Sequence, residues 1–217
     1  MEEWLDLDAA IKRGEAPEAI VLANRGAQFV NRLMPEHHFN RVAHTLLYTA
    51  VFEGHSELVA LLLWHGADPR QTAVIYRGDG SQRSADAIDV CKVHLHAQPT
   101  PGIFLMRLLT GEDIDAPLIH PTLTRDKAYT VNALEWACRS GKVHCVRWLL
   151  YRRNADPSAV HGGFDALMRR LLHAQIRDML LDWRDRRLAV AMAAHARLGR
   201  TSALRGLGPD LMRLVLS

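Results

Sequence analysis

Apolar and polar positions fall in blocks along this chain, and the blocks repeat. From Thr45 to Pro69 the sequence reads TLLYTAVFEGHSELVALLLWHGADP: an apolar run, a glycine, a second apolar run, then Gly66 and Asp68-Pro69. Apolar residues at helical spacing predict two short helices here. Thr45 precedes the first, where a side-chain oxygen can satisfy a backbone N–H that lacks a partner inside the helix. Gly54 ends it, because a left-handed residue is needed there and glycine adopts that conformation at least cost. Leu58, Val59, Leu61, Leu62 and Leu63 give the second helix a wide apolar face, and the small Ala50 lets the two helices approach closely. Gly66 then releases the chain from the helix, and Asp68-Pro69 opens a turn.

The same pattern returns from Asn132 to Pro157, NALEWACRSGKVHCVRWLLYRRNADP. Leu134, Ala137, Gly141 and Leu149-Leu150 take the places of Leu47, Ala50, Gly54 and Leu62-Leu63; one residue is inserted near the end, and Asn154 stands where Gly66 stands. Three weaker copies align with these. Near the start, Ala10, Gly14, Leu22 and Gly26 match Ala50, Gly54, Leu62 and Gly66. Between the strong copies, Ile88, Cys91, Leu108-Leu109 and Gly111 match, with an irregular turn expected near Pro99 and Pro101. After the fourth, DALMRRLLHAQIRDMLLDW predicts two short amphipathic helices with no glycine between them. Asp86, Asn132 and Asp165 are the expected N-caps of these later units.

These residues, above all the helix start at Thr45, Gly54-His55, Leu62-Leu63 and Gly66-Ala67-Asp68, resemble the ankyrin repeat. The resemblance covers roughly residues 5–183. It implies an all-α fold: an ankyrin-repeat solenoid of about four to five helix-turn-helix repeats, near 5–31, 45–69, 86–117, 132–157 and 165–183, with two inserted loops. One such unit cannot bury its apolar face alone, so stability comes from stacking on neighbours. The first copy, with Glu2, Glu3, Asp6 and Asp8, suits a polar N-terminal cap. Residues 184–217 are expected as a helical C-terminal cap or docking tail.

The resemblance also implies a binding face, concave, made by the first helices and the hairpins that project between repeats. The variable positions of those helices are Thr49, Phe52 and Glu53 in the second copy, Trp136, Arg139 and Ser140 in the fourth, and Arg169 in the fifth. Phe, Trp and Arg on one surface are the residue types of an interface hot spot. The alternative is that Phe52 and Trp136 pack beneath an inserted loop. Insertions at 70–85 and 116–130 fall where the family places its hairpins, and Tyr76-Arg77 at one tip are further candidates. Such insertions map either to the binding face or to passive surface loops.

The tail predicts an Ala-rich helix over 184–197, ended by Gly199, and a short helix over 209–216 begun by Pro209. Folding back as a cap accounts for Leu211, Met212, Leu214 and Val215. The segment SALRGLGPDLMRLVL also resembles the leucine- and proline-bearing end of a SOCS box, without that family's Cys-Arg core; a substrate adaptor of a ubiquitin ligase is what this would imply.

Composition changes this picture in one respect. Residues 1–138 carry 12 basic and 18 acidic side chains and the remainder 15 and 6, so −6 and +9 make up the net +3. An Arg-rich C-terminal half can face RNA, DNA or an acidic protein, or can simply be solvated. The apolar fraction of 48% supports a buried core, and no apolar run nears the roughly 18 residues that span a bilayer. The acidic start MEEWLDLD lacks the features of a secretory leader. Three sparse cysteines imply no disulfide framework and favour a reducing compartment, most simply the cytoplasm.

Chemistry is not legible. Cys91 with His94 and His96, and Cys138 with His144 and Cys145, lack the spacing of a structural zinc site. Cysteine as a small buried hydrophobe is the better account of Cys138 and Cys145. Gly78-Asp79-Gly80 is not followed by the Lys-Ser/Thr of a phosphate loop, and neither a serine-nucleophile elbow nor a zinc-protease helix occurs. The expectation is therefore a protein that is not an enzyme, with no metal, no cofactor, no membrane and no small-molecule substrate. It would serve as an interaction module or scaffold that holds another protein, with nucleic acid as the alternative partner.

Overall fold

The computed structural model describes residues 2–15, 27–33, 42–76, 82–97, 99–116, 118, 131–160 and 162–194. Helices dominate: α1 (Glu2–Arg13), α2 (Ala27–Val30), α3 (Leu46–Phe52), α4 (Ser56–Trp64), α5 (Ala87–Ala97), α6 (Pro99–Thr110), α7 (Ala133–Arg139), α8 (Val143–Tyr151), α9 (Gly163–Arg170) and α10 (Ala174–Ala194), with a 3-10 turn at Pro157–Ala159. The strands β1 (Val42–Ala43), β2 (Ala73–Tyr76) and β3 (Gln82–Ala85) form one small antiparallel sheet.

The helix ends follow the local chemistry. Thr45 Oγ1 accepts the Tyr48 N–H at 3.2 Å, and Asn132 Oδ1 accepts the Glu135 N–H at 2.8 Å. Asp86 Oδ1 accepts the Asp89 N–H at 2.8 Å, while Asp89 reaches back to the Asp86 N–H at 3.5 Å, a reciprocal pair that satisfies two donors at once. Asp165 is not a cap: it lies within the first turn of α9, whose N-cap is Gly162 at φ 83°. Two successive left-handed glycines start that helix earlier than the acidic residue suggested. Gly54 and Gly141 adopt φ 77° and 68°, and Asn154, in the place of Gly66, takes the same left-handed form at φ 56°.

Three expectations are corrected. Residues 70–85 are not a loop throughout. Ala73-Val74-Ile75-Tyr76, β-branched and aromatic, pairs with 82–85, and Val42↔Ile75 and Ala43↔Val74 add a third strand. Pro99 and Pro101 do not themselves form the turn between the two helices; they lie in the first turn of α6, where the missing N–H groups have no intrahelical role. The fifth unit does not end in a short helix. The 21-residue α10 runs without a break across 183–184, because nothing there stops a helix and Asp182–Arg186 adds an i,i+4 ion pair. Within the second insertion, Leu118 bridges Val131; residues 119–130, the short helix expected at 209–216 and the end of the Ala-rich helix lie outside the described residues.

Contacts between units recur. The Asp68 N–H donates to Asn31 Oδ1 at 2.7 Å, and the Asp156 N–H donates to Asp115 Oδ1 at 3.0 Å, the same bond between the turns of units one and two and of units three and four. Packing also departs from chain order. The second helix of unit two, α4, lies directly on the second helix of unit four, α8. Leu58 to Leu63 are buried without interruption, so α4 is apolar all round and must be enclosed on several sides; α3, α6 and α8 enclose it. At the N-terminal end of this pair the Cys145 N–H donates to Glu57 Oε2 at 2.9 Å, and Lys142 Nζ donates to Ser56 Oγ at 2.7 Å. The core they share runs through Leu62, Phe104, Leu105, Leu108, Leu134 and Leu149.

Candidate functional site

Residues on the first helices separate into two groups. A ladder of rings runs from His44, which precedes α3, to Tyr48 and Phe52, which lie one turn apart on α3. Tyr48 and Phe52 are stacked, with centroids 6.5 Å apart and planes within 6°. Phe52 is 59% exposed, and Glu53 beside it is exposed too. Thr49, expected on the same surface, is buried instead: its hydroxyl donates to Asp8 Oδ1 of α1 at 2.9 Å. Asp8 also binds Lys12 Nζ at 2.7 Å and His44 Nε2 at 3.3 Å. Burial pushes the Asp8 carboxyl up, but the hydrogen bonds from His44, Lys12 and Thr49 outweigh it and hold the group at about 2.

The second group gathers on α7. Trp136 is half-buried against Phe104 of α6, centroids 4.4 Å apart, with Lys142 Nζ 5.2 Å from its ring. Arg139 pairs with the buried Glu135 at 2.8 Å, and Arg170 of α9 reaches the same carboxylate at 3.9 Å. A buried carboxylate needs such partners to offset its lost hydration. Ser140 and Arg169 are exposed. The rings of Phe52 and Trp136 thus stack on different elements, α3 and α6. Tyr76 ends β2 opposite Gln82, its side chain lying outside the described residues along with all of Arg77.

The second helices hold a groove that the sequence reading did not isolate. It has a volume of about 470 Å³ and lies open between α4, α8 and α10. Trp64, Tyr151 and Met179 supply its apolar lining. Arg147 and Arg152 both lie over the Trp64 ring, 5.9 and 5.0 Å from its centroid, and Arg186 lies over Tyr151 at 5.8 Å. The Tyr151 hydroxyl donates to Asp182 Oδ2 at 2.7 Å. Burial, with the Asp182 carboxylate beside it, pushes the phenol up to about 12; Asp182 is lowered by its bonds from Tyr151 and Arg186. The available signal was the i,i+4 spacing of Arg147 with Tyr151 and of Asp182 with Arg186, but spacing on one helix does not say which two helices will meet.

The family model described as ankyrin repeat matches residues 44–73 and 131–162, the segments that contain α3–α4 and α7–α8. These two segments are ankyrin repeats. No protein of curated function matches it. Ankyrin repeats generally mediate protein–protein interaction and are typically non-enzymatic.

Local chemistry agrees with packing roles for the three thiols. Cys91, Cys138 and Cys145 are free and buried. Burial pushes Cys91 and Cys138 up to about 12 and raises Cys145 as well, so none is poised as a thiolate. Among the described residues no group of His, Cys, Asp and Glu could hold a metal ion, and no helix is long and apolar enough to cross a membrane.

Proposed function

We propose that this chain is a non-enzymatic interaction module or scaffold subunit that holds another protein on the face made by its first helices and its β2–β3 hairpin. One observation carries the reading: Phe52 stands 59% exposed at the end of a stacked ring ladder, beside exposed Glu53. A large aromatic held on a rigid element is the residue type on which interface hot spots centre. Arg139, held by buried Glu135, and exposed Arg169 extend the surface with oriented cations, and Trp136 and the Tyr76-Arg77 tip complete the residues assigned to it.

The array in this reading has four to five repeats within residues 1–183, arranged as a solenoid whose second and fourth units also meet directly. Residues 184–217 form the cap or docking tail. The recurring bonds Asp68–Asn31 and Asp156–Asp115 support the stacking. A reducing compartment, the cytoplasm, suits three unpaired thiols.

A photo-crosslinking amino acid placed at Phe52 and, separately, at the exposed Leu172 tests the face. The reading expects a protein adduct at Phe52 and none at Leu172. A nucleic-acid adduct at Phe52, or a protein adduct confined to Leu172, contradicts it.

A further inference from the structure

The groove between α4, α8 and α10 is built only by second helices and shares no lining residue with the first-helix surface. We infer that it is a second docking site, which takes an extended peptide carrying an acidic residue, supplied by a partner protein, with the carboxylate lying between Arg147 and Arg152 at the Trp64 end.

Three observations converge on this occupant. First, the two guanidiniums are positioned but not neutralised. Each lies over the Trp64 ring, and neither has a carboxylate partner within ion-pair distance among the described residues, whereas Arg139, Arg170, Arg184 and Arg186 all have one. A guanidinium stacked on an indole keeps its N–H edge for a planar anion. Second, the field at this end is positive. At His65, next to Trp64 in the chain, burial is the largest cause of a lowered pKa, and the neighbouring His144 and Arg147 lower it further. Third, the other end is acidic. Asp178 and Asp182 line the groove with Gln175, so a continuous polyanion laid along it would meet two carboxylates. A peptide with an isolated acidic side chain avoids that repulsion, covers Met179 with an apolar neighbour, and offers backbone N–H groups to Asp178. The chain's own C-terminal segment fits poorly: residues 195–217 carry four arginines and one aspartate.

The probe is a phage-displayed library of random 16-residue peptides, selected against the full-length protein. Enriched peptides are then synthesised with fluorescein and titrated by fluorescence polarisation against the wild type, Arg147→Gln/Arg152→Gln, Arg147→Lys/Arg152→Lys and Phe52→Ala. Arg152 is exposed and Arg147 half-buried, and an unchanged melting temperature verifies folding of each variant. The expected result is enrichment of Asp- or Glu-bearing peptides, an affinity loss of at least tenfold in the glutamine pair, a smaller loss in the lysine pair and none in Phe52→Ala. Peptides without acidic bias, or affinity retained in the glutamine pair, would overturn the proposal. So would a single-stranded oligonucleotide that binds more tightly than any peptide and loses tenfold in the glutamine pair. Loss confined to Phe52→Ala would return the binding to the first-helix face and leave the groove without a role.

Discussion

Asp8 shows how a single side chain ties α1 to the rest. Its carboxylate collects Lys12 from its own helix, Thr49 from α3 and His44 from the segment before it. A carboxylate held at about 2 when folded and near 4 when unfolded stabilises the protein fully above pH 4, and this contribution disappears as the pH falls through 2. At neutral pH it is worth about 2 kcal/mol. Urea denaturation of wild type and Asp8→Asn at a series of pH values should show the two separated at pH 7 and converging toward pH 2. A pair of glycines separates two other residue-scale effects. Gly163 is left-handed with nothing near its missing Cβ, whereas a Cβ on Gly141 would lie 2.6 Å from His173 Nε2. Gly163→Ala should therefore cost about 1 to 2 kcal/mol, the left-handed penalty alone, and Gly141→Ala about the same, because the exposed His173 ring can swing aside. A much larger loss at Gly141 in melting experiments would show that the His173 ring is held in place.

At the scale of elements, the caps and α4 dominate. Thr45→Ala and Asn132→Ala each remove a side-chain acceptor from a buried N-terminus and should each cost about 1 kcal/mol in chemical denaturation. Leu62→Ala opens a cavity in a helix enclosed by three others, and about 2 to 5 kcal/mol is expected. These elements were legible beforehand because their signals are local: Thr45, Asn132, Gly54 and Gly141 mark helix ends through their own backbone chemistry. Other elements were not. The strand segment at 73–76 is too short to stand out from a loop until Val42-Ala43 and residues 82–85 come alongside, and that pairing is not local. The unbroken α10 was misread because a family period placed a boundary at 183 where the chain has no breaker. The run Leu58–Leu63 announced a buried helix, yet an apolar surface on all sides carries no direction, so the partner α8 could not be read from it.

For the whole molecule, the same limit separates the two surfaces. The exposure of Phe52 and Glu53 was legible from position within a repeated unit, because equivalent positions in a repeat face the same way. Thr49 was assigned by the same rule and failed because Asp8, from a degenerate first unit, claims its hydroxyl. The groove between α4, α8 and α10 depends on three helices from three units meeting, which no single repeat encodes. A module that holds a protein on its first helices should tolerate loss of Phe52, since an exposed ring contributes little to folding. The most direct measurement is affinity purification of the wild type and Phe52→Ala from native cells, each with and without nuclease, followed by mass spectrometry. A defined set of proteins that survives nuclease with the wild type and is lost with a fully folded Phe52→Ala is the predicted result. A set that vanishes with nuclease, or that Phe52→Ala retains unchanged, would contradict the account.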